Sequence, residues 1–375
     1  MTDPWPRHWM AGPHALLEAT RRMVRAAGGL SRLPPGRQAP PIAESPADQV
    51  WRAGKATLSR YRPTGGLDQG DAGMRRLGPV VIVHGLIGRQ TMLDLEPKRS
   101  LVRRLLLAGT DVWVIDWGCP TRADRWCDTT DYAAHAIGDA LEAIAAYTPR
   151  RPVLFGVCQG GVFAACHAAL NPDRLSGLAL AVTPIDFHAD IEAPAIGRGQ
   201  LNHWLRALPE GLLDALIADR GNIPGELTAA VFHGLAPGRW MARYTADLAE
   251  IADDPEALDT FLRMERWLAD RPDQPGALAR EWMIGLYREN RLVRGLFEVD
   301  GARVDLGRIA CPVINIYARD DHIVPPPCST ALKRNLRNVA YTELEVPTGH
   351  VGAFVSKRAQ GIVAPAMVDW LETLT

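Results

Sequence analysis

The chain has 375 residues, 47% hydrophobic and 23% charged, an ordinary globular composition that excludes disorder and a collagen-like fibre. Its 42 basic and 43 acidic residues leave a formal net charge of −1, so no net field holds nucleic acid or an anionic membrane. The length exceeds what one core usually absorbs, which predicts one large domain with an insertion, or two domains.

The N-terminal MTDPWPRHWM lacks the basic and apolar regions of a signal peptide, and no apolar run reaches the ~18–20 residues of a membrane span, so a cytoplasmic protein is expected. Residues 1–75 are rich in Pro, Gly, Arg and Ala. Breakers such as Pro34-Pro35 and Gly65-Gly66 separate short helical stretches like His14–Ala27, and the segment reads as an irregular arm. A rhythm of strand, turn and helix follows. Strands are expected at Pro79–Val83, Asp111–Asp116, Pro152–Val157 and Leu178–Val182, with helices at Ser100–Leu107, Tyr132–Tyr147 and from Cys158 to Leu170. From about Ile185 to Ile309 the rhythm stops, and the helical patterns His203–Ala218, Pro255–Ala269 and Leu278–Glu289 read as an inserted cap. Strands resume at Pro312–Ala318 and Thr342–Val346, and Ala364–Leu374 closes the chain as a helix. The expected class is α/β, with a mostly parallel sheet, helices on both faces and a helical cap. Its core is expected at 76–184 and 310–375, with the cap at 185–309.

Gly156-Val157-Cys158-Gln159-Gly160-Gly161 lies between an expected strand and an expected helix. In that context the G-x-S-x-G pattern marks the strained nucleophile turn of an α/β-hydrolase fold, here with sulfur in place of the serine hydroxyl. A free thiol of pKa ~8.5 is only a few per cent ionised at pH 7, so it needs a helix N-terminus and an imidazole to become a nucleophile. Cys166, on the same helix without a glycine elbow, reads as core. The partners should follow in the order nucleophile, acid, histidine. Asp321 follows the Pro312–Ala318 strand, with the adjacent Asp320 as its rival. His350 follows the last strand, whereas His322 precedes it and is the weaker candidate base. The backbone N–H of Gln159, with one near Leu86 or Ile87 after His84-Gly85, would hold an oxyanion. His84 itself reads as structural. The six cysteines form no C-x-x-C pair, which argues against a disulfide frame, and the remaining histidines show no metal spacing.

From about Pro79 to its end the chain resembles the catalytic subunit of polyhydroxyalkanoate synthases, the PhaC family. The stretches that carry the resemblance are MLDL (Met92–Leu95), DVWVIDWG (Asp111–Gly118), RADRW (Arg122–Trp126), GVCQGG (Gly156–Gly161), TPIDF (Thr183–Phe187), GNIPGE (Gly221–Glu226), FLRMERW (Phe261–Trp267), CPVINIYA (Cys311–Ala318), DHIVPP (Asp321–Pro326) and Gly349-His350. FLRMERW points to the two-subunit class III, with class IV second. The chain departs from the family pattern at His84-Gly85, where an aromatic–Ala pair is usual, and at Gly88-Arg89-Gln90, where Asn-Arg-Pro is usual.

The resemblance implies a Cys158, Asp321, His350 triad and transfer of (R)-3-hydroxyacyl groups from CoA thioesters to a growing polyester through an acyl-Cys158 intermediate. Asp321 would orient His350 or, the preferred role because a thiol needs less help from a base than an alcohol does, help activate the attacking hydroxyl. No cofactor is implied beyond acyl-CoA as substrate, and no metal. The implied partners are 3-hydroxyacyl-CoA, the polyester chain and its granule surface, a small accessory subunit of the PhaE or PhaR type, and a second copy in a homodimer. The competing expectations are a polyester depolymerase or thioesterase using the same residues, and a non-catalytic granule- or subunit-binding protein.

Overall fold

Runs such as Val80-Val81-Ile82-Val83, unbroken by charge, build the centre of an eight-stranded sheet. In the computed structural model, which describes residues 39–63, 77–191, 200–235, 243–244, 248–251 and 253–374, its strands are β1 (Ala47–Ala53), β2 (Ala56–Tyr61), β3 (Leu77–Val83), β4 (Thr110–Asp116), β5 (Val153–Val157), β6 (Gly177–Ala181), β7 (Val313–Ala318) and β8 (Tyr341–Val346). Their order is β1-β2-β4-β3-β5-β6-β7-β8. Every neighbouring pair from β4 to β8 is parallel, and the β1–β2 and β2–β4 pairs are antiparallel.

A parallel sheet needs crossovers, and these cover both faces. Val81, Val83, Trp113, Ile115, Leu154 and Leu178 pack in one cluster with residues of the helices Ile137–Ala145 and Gln159–Leu170. The alternate residues Val80, Ile82, Val112, Phe155, Ala179 and Ile314 point to the other face and are equally buried. There the helix Val363–Glu372 packs by Trp370 against Gly177 at the start of β6. Burial on two faces explains why these strands read as continuous apolar runs.

The structure differs from the expected arm at residues 47–61, which form the β1–β2 hairpin at the sheet edge. Gly54, at φ +56°, takes the first place of a two-residue loop that only glycine enters readily, and Leu58 is fully buried against the sheet. The surrounding proline-rich composition hid this short alternation. The expected helix His14–Ala27 lies outside the described residues. The expected helix His203–Ala218 is two helices, Gln200–Ala207 and Glu210–Arg220, because Pro209 adopts extended backbone as the N-cap of the second. The expected helices at 132–147 and 278–289 each contain a π-helical stretch, Thr130–Ala136 and Glu281–Arg288.

The chain divides into two compact units, residues 42–229 with 267–375, and residues 1–41 with 230–266. The first holds the whole sheet; the expected insertion 185–309 is shared between the two. Within the second, Tyr244, Leu248, Leu258, Phe261 and Leu262 form a small core. No described helix is long and apolar enough to cross a membrane.

Candidate active site

The chain leaves β3 for β4 on one side and returns to β5 on the other, so the ends of β3 and β5 border a topological switch point, where open α/β sheets hold their sites. Pairing of Val83 with Gly156 sets the loop that starts at His84 beside Cys158.

Cys158 has φ +53° and ψ −119°, a conformation that costs a non-glycine residue on the order of 1–3 kcal/mol. Its surroundings hold it there. Its N–H donates to the Ala181 carbonyl at 2.9 Å, and its carbonyl accepts from Gly161 N–H at 3.0 Å. A Cβ on Gly156 would lie 2.4 Å from Gly161 Cα, and one on Gly160 would lie 2.2 Å from the Val83 carbonyl, so both glycines are needed for the helix to approach the strands. Cys158 is partly exposed. Cys166 is fully buried, and burial, with Glu281 nearby, pushes its thiol well above the ordinary range. The elbow thus separates a partly exposed thiol at the start of the helix from a core one within it.

His350 meets Cys158 from the other side. Its Nδ1 lies 2.7 Å from Oδ2 of Asp321, and its ring also hydrogen bonds with the Cys158 side chain. Burial alone would lower its pKa, but the Asp321 carboxylate and the Cys158 sulfur outweigh that cost and raise it well above 6.5. Asp321 has no exposed surface, and its Oδ1 accepts from the N–H groups of Ile323 and Val324, each at 2.9 Å. Both oxygens are engaged, Oδ1 by the two loop N–H groups and Oδ2 by His350. Asp320, the rival acid, is 45% exposed and pairs with Arg319.

Gln159 opens the helix after Cys158, where a backbone N–H has no carbonyl of its own helix to bond. The Leu86 N–H, the second expected donor, is 2.8 Å from Oε1 of the Gln159 side chain. The carbonyl of Ile87 accepts from Arg271 at 3.3 Å, which ties down the same loop. His84 is 95% buried and its Nδ1 donates to the Gly85 carbonyl at 2.9 Å. Burial, aided by the nearby His350, lowers its pKa to about 4, with the Gly85 bond and Asp116 opposing, so it is neutral at pH 7. Among the described residues no three His, Cys, Asp or Glu side chains gather as a metal site.

Two neighbours carried no spacing signal in the sequence. Gln274 Oε1 accepts from Gln159 Nε2 at 3.3 Å across 115 positions. Tyr287 is buried within electrostatic reach of Cys158, its ring against Phe187 at 4.8 Å.

Comparison with known proteins agrees with the architecture. The family model described as alpha/beta hydrolase fold matches residues 78–356. The chain is 37% identical over 329 residues to the poly(3-hydroxyalkanoate) polymerase subunit PhaC of Allochromatium vinosum, covering 87% of this chain and 88% of that one. It is 35% identical over 335 residues to the protein of the same name from a Synechocystis species, covering 88% and 85%. Among solved structures, a soluble variant of monoglyceride lipase from Saccharomyces cerevisiae covers 91% of this chain and 98% of its own at TM-score 0.54 and 16% identity, a likeness of fold.

Proposed function

Because the chain belongs to the PhaC family of alpha/beta-hydrolase-fold proteins, we propose that it is a polyhydroxyalkanoate synthase subunit that builds polyester from (R)-3-hydroxyacyl-CoA through an acyl-Cys158 intermediate. The observation that carries this reading is the Cys158, His350, Asp321 array on a strained elbow.

In the loading step His350 takes the thiol proton, sulfur attacks the thioester carbonyl, and the tetrahedral oxyanion collapses to expel CoA, which leaves with the proton from His350. In the transfer step a hydroxyl attacks the acyl-enzyme, His350 accepts its proton, and the Cys158 sulfur leaves and is reprotonated. Thioester-to-thioester exchange is nearly isoenergetic, so a sulfur nucleophile keeps both steps accessible. Polymer forms only where water loses to the hydroxyl. The packed rings of Phe163, Phe187, Trp282 and Tyr287 supply apolar surroundings beside the nucleophile's helix. The relatives' name as polymerase subunits supports a two-subunit kind; we further propose class III before class IV, with a small accessory subunit, a homodimeric catalytic chain and association with polyester granules.

The test is purified protein with 3-hydroxybutyryl-CoA, with and without a candidate accessory subunit, following free CoA and polymer together. Both should appear, more strongly with the subunit. Cys158→Ala should abolish both, and Cys166→Ala should not. CoA without polymer would make the protein a thioesterase, and soluble hydroxy acids released from added polymer would make it a depolymerase.

A further inference from the structure

Gln159 Oε1 sits 2.8 Å from the Leu86 N–H, within the distance at which that donor would hold a tetrahedral oxyanion. A backbone N–H can only donate, so the Gln159 amide must present its oxygen there and turn its Nε2 away. Nε2 then donates to Gln274 Oε1 at 3.3 Å, which in turn fixes the Gln274 amide. The relay ends badly. Gln274 Nε2 is buried and has no hydrogen-bond partner among the described residues. Gln159 and Gln274 are 2% and 7% exposed, so bulk water does not compensate either amide. Gly85 leaves the room for this arrangement: a Cβ there would lie 2.6 Å from Gln159 Cβ and 3.1 Å from its Oε1.

We propose that the Gln159 side chain is a removable stand-in for the oxyanion, capping the Leu86 N–H in the resting enzyme, and that Gln274 is the positioning residue that holds it there. One proton cannot serve two acceptors at full strength, so oxyanion formation at Leu86 requires the amide to withdraw. The unpaired Gln274 donor makes the capped state incompletely satisfied and leaves it easier to open. Between turnovers the cap keeps a buried donor bonded and the loop ordered. The oxyanion site is thus available only once an acyl group competes for it. This inference rests on Cys158 as the nucleophile of the proposed function.

Two measurements on the full chain test it. The first is the affinity of Cys158 for butanal. Its sulfur adds to the carbonyl carbon, the thiol proton passes to the carbonyl oxygen, and the resulting hemithioacetal oxygen needs the same donors whatever the natural substrate. The second is the rate of the first CoA release from 3-hydroxybutyryl-CoA, with Cys158→Ala as blank for both. Gln159→Ala removes the competing acceptor and should strengthen butanal binding and speed loading, each about two- to tenfold, the worth of one ordinary hydrogen bond. Gln274→Met loosens the hold and should act in the same direction but less. Folding of each variant is checked by circular dichroism. Weaker or unchanged butanal binding in both folded variants would overturn the proposal and make Gln159 a fixed part of the loop. Tighter butanal binding with no CoA release from any protein would sustain the cap and sink the proposed function.

Discussion

At the scale of single residues, the site is a chain of dependence. In the proposed mechanism Cys158 depends on His350 and His350 on Asp321, which two backbone N–H groups hold in place. We infer from the full burial of Asp321 and its bond to His350 that it acts through the imidazole, so Asp321→Asn should slow loading and transfer together, by about 10³–10⁴-fold if the imidazole is left in the wrong tautomer as in other triads. Quench-flow with mass spectrometry of Cys158 checks this. Accumulation of acyl-enzyme in the variant would show that transfer alone had failed and restore a direct role for Asp321. His350 also links the site to stability. Its folded pKa lies above its unfolded value near 6.5, so the folded state binds the proton more tightly, and the gain is full below about pH 6.5 and lost as pH rises through the raised value. The difference in melting temperature between wild type and His350→Gln should therefore shrink from pH 6 towards alkaline pH. A constant difference would show that the imidazolium is not favoured in the fold.

At the scale of elements, the helix Gln159–Leu170 does most to set the site, because its first turn presses against the strand ends. The Gly160→Ala variant puts a Cβ 2.2 Å from the Val83 carbonyl and 2.6 Å from His84 C, both backbone atoms that cannot yield separately. It should cost about 1–3 kcal/mol, read from the urea midpoint, and slow loading because the oxyanion loop and elbow separate. Further along, His167 is buried with its Nδ1 donating to the Ala133 carbonyl at 2.7 Å, and burial lowers its pKa to about 4. His84, in the loop after β3, is lowered to about 4 as well. For these two the sign is opposite to that of His350. The unfolded chain binds the protons more tightly, so stability falls as pH drops from about 6.5 to about 4. His167→Gln keeps a donor for Ala133 without titrating, and its stability should fall less steeply over that window. An unchanged slope would mean that other groups control the acid limb.

At the scale of the whole molecule, the hairpin β1–β2 is the element that closes an otherwise open edge. Leu58 is fully buried on it, and Arg60 forms a two-pronged pair with Asp111 of β4 at 2.9 and 3.0 Å while stacking over Trp113 at 5.0 Å. A charge at Leu58 would detach the hairpin and expose the β4 edge, a template for pairing between chains. Leu58→Asp should lower the melting temperature and increase light scattering on warming. A monomeric, undiminished melt would show that the hairpin is dispensable to the sheet.

What the sequence determined by itself was whatever local pattern decides. Continuous apolar runs marked five of the eight strands, because two-sided burial demands them, alternation marked the exposed edge strand at Tyr341–Val346, and the glycines around Cys158 marked the elbow, because only residues without a Cβ allow that approach. Chain order then nominated Asp321 and His350. The tertiary structure decided what depends on neighbours distant in sequence. Two short strands reached the sheet from a segment whose composition reads as an arm, since pairing with β4 supplies hydrogen bonds that local propensity cannot signal. Spacing left Asp320 and Asp321 as rivals and the family resemblance pointed to Asp321; the structure supplies the physical difference, one carboxylate buried against His350 and the other left in solvent. The meeting of Leu86, Gln159 and Gln274 has no signature in spacing, since groups 73 and 115 positions apart meet only through the pairing of β3 with β5 and the placement of the separate Gln274–Pro275 strand.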